Sequence, residues 1–214
     1  MKPKVGFLID PNNDWIEIFV KDFISKQKKS DYRFSLSKDP SRLKGFRFVF
    51  ILGYTKILGS NFLSGNKLNL VIHESNLPSG KGFSPVQWQI LEGSNEIPVC
   101  LLEASADGID CGDVYIRDTL KLDGFELLPE IRNKQAEVTF RIIKKFLINH
   151  ASIIPQKQKG KESFFSRRTR KDDKLDAKKT IEEQFNLLRI ANNDEYPLYF
   201  NLGENKYTLK IYKS

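Results

Sequence analysis

Three short apolar runs constrain this chain most: Val5–Ile9, Phe46–Leu52 and Leu68–His73. None is long enough for a buried helix, and none alternates apolar with polar residues as a half-wet strand does. Runs of this kind read as strands buried on both faces, so layers of helix must cover them. The intervening segments supply such helices. After the first run, Asn12, Asn13 or Asp14 can cap a helix in which Trp15, Ile18, Phe19, Phe23 and Ile24 recur near helical spacing. Ser84-Pro85-Val86-Gln87 predicts another start, with Ser as cap, Pro at the first helical position and Gln completing a capping box. Gly93 ends it. Pro98–Leu102 and Val114–Thr119 read as two further strands, and residues 125–149 as a long helix with Leu128, Ile131, Ile142, Ile143, Phe146 and Leu147 on its apolar side. Strands alternating with helices predict an α/β fold with a mostly parallel sheet. No internal repeat is visible.

Composition matters from Pro155 onward. The 214 residues carry a net charge of +8, and residues 157–179 contribute ten Lys or Arg against four acids, a net +6. Thr180-Ile181-Glu182-Glu183 is a second capping box, opening a helix with Ile181, Phe185 and Leu188 inward. Tyr196–Phe200 and Tyr207–Tyr212, joined around Gly203, predict a closing hairpin. The expected organisation is therefore a main unit over residues 1–150 and a short extension over 151–214, holding a basic loop, a helix and a hairpin. That hairpin can cover the molecule's own sheet or add to a partner's, which leaves a homodimer open. Cys100 and Cys111 are too few for a disulfide framework or a cysteine-ligated zinc site. The N-terminal apolar run is too short for a signal peptide, and no run approaches the roughly 18 apolar residues of a membrane span. A soluble cytoplasmic protein without membrane contact is expected.

Two segments could carry chemistry. His73 ends a buried strand and precedes the Gly/Pro/Ser-containing loop 74–84; in open α/β sheets ligands bind beyond the carboxyl ends of strands. The plain alternative is a polar cap at a strand end. Residues 106–114 place Asp107, Asp110 and Asp113 around two glycines, either an ordinary acidic turn or a carboxylate partner for an imidazole. Spacing alone leaves both readings open.

The block from His73-Glu-Ser-Asn-Leu-Pro-Ser-Gly-Lys-Gly-Phe-Ser-Pro-Val-Gln-Trp through Leu91-Glu-Gly to Ile109-Asp-Cys-Gly-Asp resembles the formyltransferases that use N10-formyltetrahydrofolate. That family includes methionyl-tRNA formyltransferase and the N-formyltransferases of nucleotide-linked amino sugars. Phe165-Ser-Arg-Arg-Thr-Arg-Lys-Asp-Asp-Lys-Leu-Asp, Phe185-Asn-Leu-Leu-Arg and Tyr196-Pro look like the sugar branch. The resemblance implies a Rossmann-like sheet that holds folate, in keeping with the lack of a G-x-G-x-x-G after the first strand. It implies His73 and Asp110 as catalytic residues. It further implies that Gly53, Tyr54, Thr55 and Lys56, with Asp110, contact the folate. Neither a metal nor a covalent nucleophile is required, so Cys111 is expected to be a bystander.

The chemistry such a family performs needs a donor for an oxyanion and a base for the amine proton. His73 can stabilise the oxyanion, and Asp110 can orient it and help move the proton. This chain departs from the family in having Val71 where an Asn is usual, two residues before the His. Asn69 lies about 7 Å further along the strand and is no simple replacement. For the acceptor, Arg167 and Arg168, flanked by Phe164 and Phe165, suit a diphosphate, and Lys81 sits before a helix N-terminus. A solvated basic surface is the plain alternative. The expected reaction is formyl transfer to a UDP- or dTDP-linked amino-deoxy sugar for surface-glycan precursors, with nucleic acid disfavoured as partner. A methionyl-tRNA formyltransferase-like enzyme is the alternative, disfavoured because only about 60 residues follow position 155. A catalytically lapsed folate- or anion-binding protein also stays open.

Overall fold

A computed structural model describes residues 2–214. The chain forms β1 (Lys4–Ile9), α1 (Glu17–Ser25), β2 (Arg33–Ser37), β3 (Phe48–Leu52), α2 (Ser60–Ser64), β4 (Asn69–His73), β5 (Lys81–Gly82), α3 (Pro85–Leu91), β6 (Glu96–Glu103), β7 (Val114–Lys121) and α4 (Leu128–Asn149). The C-terminal part adds β8 (Phe164–Phe165), α5 (Phe185–Arg189), β9 (Leu198–Leu202) and β10 (Asn205–Leu209). Six strands make the main sheet in the order β2-β1-β3-β4-β6-β7. The first four are parallel, whereas β6 runs antiparallel to both β4 and β7. The sheet is Rossmann-like and mixed.

The apolar runs behave as two-sided strands. Phe7 and Phe50 are fully buried and stack at 5.7 Å on the face covered by α1 and α4, where Phe23, Phe140, Ile142 and Phe146 close over them. The opposite face is thinner, built from Leu8, Leu43, Val49 and Ile51. No helix among the described residues is long and apolar enough to cross a membrane.

Three local expectations change. Arg33–Ser37, to which sequence patterning assigns no element, is the edge strand β2, where Arg33 is exposed and the rest only partly buried. The box at Ser84 does not close: Ser84 has φ 51° and its side chain caps nothing, so α3 is started by Pro85 alone. Ile181 is largely exposed, although the box it belongs to forms, with the Thr180 amide donating to Glu183 at 2.7 Å and the Glu183 amide to Thr180 Oγ1 at 3.2 Å.

Residues after 155 do not float. β8 pairs with β5, and Gly82 (φ 100°) is required there because a Cβ would fall 2.5 Å from the Phe165 carbonyl oxygen. Trp88 Nε1 donates to the Ser166 carbonyl at 2.8 Å. Arg189 is buried against Glu126, and Leu175, Leu188, Ala191 and Leu198 form a small core of their own. β9 and β10 form the antiparallel hairpin, turning at Gly203.

Candidate active site

A cleft of about 1000 Å³ opens at the carboxyl ends of β1, β3 and β4. Its first wall follows from a buried acid that the sequence reading passed over. Asp10 directly follows β1 and has no exposed surface; its Oδ2 accepts from the Thr55 amide at 2.9 Å and the Thr55 hydroxyl at 2.5 Å, and its Oδ1 from the Asn12 amide at 2.8 Å. Burial alone would raise its pKa, but these hydrogen bonds outweigh that and hold the carboxyl below its ordinary range. Asn13 Nδ2 donates to the Gly53 carbonyl at 3.0 Å. The loop Gly53-Tyr54-Thr55-Lys56 is thereby pinned along the cleft, with Gly53 at φ 59°.

His73 and Asp110 come together on the opposite side. His73 Nδ1 lies 3.4 Å from Asp110 Oδ2, and both side chains are less than a tenth exposed. His73 Nε2 is 2.8 Å from the Gly80 carbonyl. A carbonyl only accepts, so Nε2 carries the hydrogen and Nδ1 faces the carboxylate. Asp110 Oδ2 also accepts from the Gly82 amide at 3.0 Å. Its backbone has φ 52°, and Gln158 Nε2 ties down the turn through the carbonyls of Asp110 at 2.7 Å and Gly112 at 2.8 Å. Val71 lines the cleft, and Asn69 is turned away, donating to the Leu63 carbonyl at 2.8 Å.

The three basic residues separate. Lys81 is withdrawn: its side chain is 2% exposed and its ammonium sits 2.6 Å from Glu162 and 3.2 Å from Cys111 Sγ. Burial opposes its charge, yet those partners prevail and raise its pKa, so the charge is already neutralised within the protein. Arg168 is likewise held by Asp173 at 2.9 Å and the Asp172 carbonyl at 3.0 Å. Arg167 lines the cleft with a single long bond, 3.4 Å, to the Thr55 carbonyl. The expected Phe164 and Phe165 flanks are replaced: pairing with β5 turns Phe164 outward, so Arg167 stacks on Phe83 at 4.4 Å and Arg168 on Trp88 at 5.9 Å. Of these three, Lys81 and Arg168 are satisfied by acids of the protein itself, and Arg167 is the least committed.

A family model for formyl transferases matches residues 27–147, more than half the chain. The chain belongs to the formyl transferase family. Methionyl-tRNA formyltransferase of Rickettsia felis is 29% identical over 126 residues, 58% of this chain and 41% of that protein. The chain therefore spans less than half the length of that curated relative. A methionyl-tRNA formyltransferase from Clostridium thermocellum superimposes with a TM-score of 0.82 at 18% identity, covering 98% of this chain and 92% of that one. A 4-N formyltransferase from Francisella tularensis gives a TM-score of 0.69 at 18% identity, with 100% and 99% covered. Both likenesses establish the fold. In this chain, sequence reasoning missed Asp10, Glu74, Gln135 and Gln158; each is bonded to a partner far away in sequence, and an acid directly after an apolar strand was the one local signal.

Proposed function

We propose that the chain transfers a formyl group from N10-formyltetrahydrofolate to the amine of a UDP- or dTDP-linked amino-deoxy sugar. The observation that carries this reading is the His73–Asp110 pair facing the pinned Gly53–Lys56 loop across one cleft. The apolar side chains of Ile51, Leu58, Val71 and Leu102, edged by loop backbone, suit a flat heterocycle with polar edges, and the volume suffices for donor and acceptor together. Asp110 holds the imidazole in place. His73 supplies a polarised group beside the formyl carbon, where charge develops on oxygen. For the acceptor, Arg167 lines the cleft with a guanidinium that no acid among the described residues holds and that can meet a diphosphate, and likeness over nearly its full length to a sugar N-formyltransferase from Shewanella supports the sugar class.

The test is tetrahydrofolate release across a panel of UDP- and dTDP-amino sugars, with methionyl-tRNA as a further arm. Turnover on a sugar nucleotide supports the reading. Turnover confined to methionyl-tRNA moves the acceptor to that class, which the curated relatives favour. Binding of folate without turnover on any acceptor replaces the enzyme by a binding protein.

Two substitutions probe the assignment of charges. Arg167→Met is expected to raise the acceptor KM about tenfold, the loss of one charge-assisted hydrogen bond, while Lys81→Met leaves it unchanged because that ammonium already belongs to Glu162. Steady-state kinetics on both variants decides this. Asp10→Ala leaves the Thr55 amide and hydroxyl without their acceptor and frees the folate loop. The expected result is a folate KM raised about tenfold with a smaller change in kcat. An unchanged folate KM would show that the loop holds its shape without Asp10.

A further inference from the structure

The proposed reaction leaves one proton without a destination. An aliphatic amine has a pKa above neutrality (about 8 even for an α-amino group), so the acceptor arrives mainly as an ammonium with no lone pair to attack. His73 and Asp110 are poorly placed to take that proton: His73 Nε2 already donates to Gly80, and Asp110 Oδ2 is engaged by His73 Nδ1 and the Gly82 amide. Val71 carries no polar atom. On the reading above, we propose that Glu74 is a further catalytic residue, the base that accepts the first proton from the acceptor ammonium inside the cleft.

Glu74 follows His73 directly and lines the same cleft. Two glutamines fix it. Gln89 of α3 donates to its carbonyl at 2.7 Å, and Gln135 of α4 to its Oε1 at 2.5 Å. The other oxygen, Oε2, receives no hydrogen bond from the described residues, and no Lys or Arg stands within ion-pair distance of the carboxyl among them. A fixed carboxylate with one open oxygen is what a base needs. The charged and titratable groups around it are His73, which precedes it at the end of β4, Asp110 from the turn before β7 and the Cys100 thiol on β6; Arg132 of α4 lines the same cleft. Burial raises the pKa of the Glu74 carboxyl, more than the neighbouring His73 and the Gln135 hydrogen bond lower it.

The step balances. An N–H bond of the ammonium breaks and an O–H bond forms on Glu74; the freed lone pair makes the new C–N bond at the formyl carbon. As the bond from that carbon to the donor nitrogen breaks, the donor nitrogen takes the second proton shed by the acceptor nitrogen. Glu74 then returns its proton to water, so one proton is released per turnover.

The experiment compares Glu74→Gln and Glu74→Asp with the native chain, using the sugar nucleotide that turns over in the panel, from about pH 6 to about pH 10. Glu74→Gln is expected to lose about 100-fold or more in kcat near neutrality and to recover at high pH, where the amine arrives deprotonated. Glu74→Asp is expected to retain part of the activity. A loss that is equal at every pH would reduce Glu74 to a positioning residue and overturn the proposal. A second readout needs no acceptor: carboxyl 13C NMR, with the Glu74 signal identified by its disappearance in Glu74→Gln. A titration midpoint at or below the ordinary glutamate value would overturn the proposal even if no sugar nucleotide is a substrate, and a raised one supports it.

Discussion

His73→Ala is expected to fold and to release tetrahydrofolate about 100- to 1000-fold more slowly than the native chain, the usual scale for removing one group that stabilises a developing oxyanion. The side chain is buried in a polar niche, bonded to Gly80 and beside Asp110, and not in the aromatic core over β1 and β3. Its removal leaves a carbonyl and a carboxylate without their partner, a stability cost of about 1–3 kcal/mol that a melting curve would register without loss of the fold. His73→Asn separates two roles. An amide can donate to an oxyanion but cannot cycle a proton, so partial activity in His73→Asn would assign oxyanion stabilisation to this position. Single-turnover release of tetrahydrofolate is the appropriate measurement, because it isolates chemistry from product departure. An unchanged rate in His73→Ala would remove the mechanism.

Much of the fold was legible because β1 and β3 are buried on both faces and so carry an apolar run, as β4 does between Asn69 and His73. β2 was not, because an edge strand packed on one side tolerates Arg33, Ser35 and Ser37. The same contrast runs through the site. His73 and Asp110 could be paired from an ordered motif, and the structure brings them within 3.4 Å. Lys81 misled because sequence shows a lysine in a glycine-rich loop but not Glu162, 81 positions later, which neutralises it. Glu74 was hidden beside His73, since its significance depends on Gln135 and on burial, neither of which is local in sequence.

Arg189→Ala is expected to cost about 3–5 kcal/mol, since it leaves a buried carboxylate without one of its cations. For a chain of this length, that lowers Tm by roughly 10 °C. Arg189 is 1% exposed and reaches Glu126 Oε2 at 3.2 Å and Asn95 Oδ1 at 3.0 Å, so it fastens α5 to the loop that starts α4. Glu126 is 2% exposed, and burial alone would raise its pKa; hydrogen bonds from Lys134 and from the Asp123 amide outweigh that and pull it to about 2. The folded pKa lies below the ordinary 4.5, so this contribution is complete above that value and is lost as the pH falls from there toward 2. Denaturant titrations at a series of pH values should therefore show the native chain weakening across that window. Glu126→Gln should make that slope shallower and begin from a lower plateau, the remaining slope belonging to other carboxylates held below their ordinary range, Asp10 and Asp118 among them. The consequence for catalysis follows from connectivity. The segment fastened by Arg189 also carries Gln158, which holds the Asp110 turn, and Arg167, which faces the cleft. In Arg189→Ala, a rise in acceptor KM at temperatures well below the melting transition would mean that this remote ion pair helps keep the acceptor wall of the cleft in register.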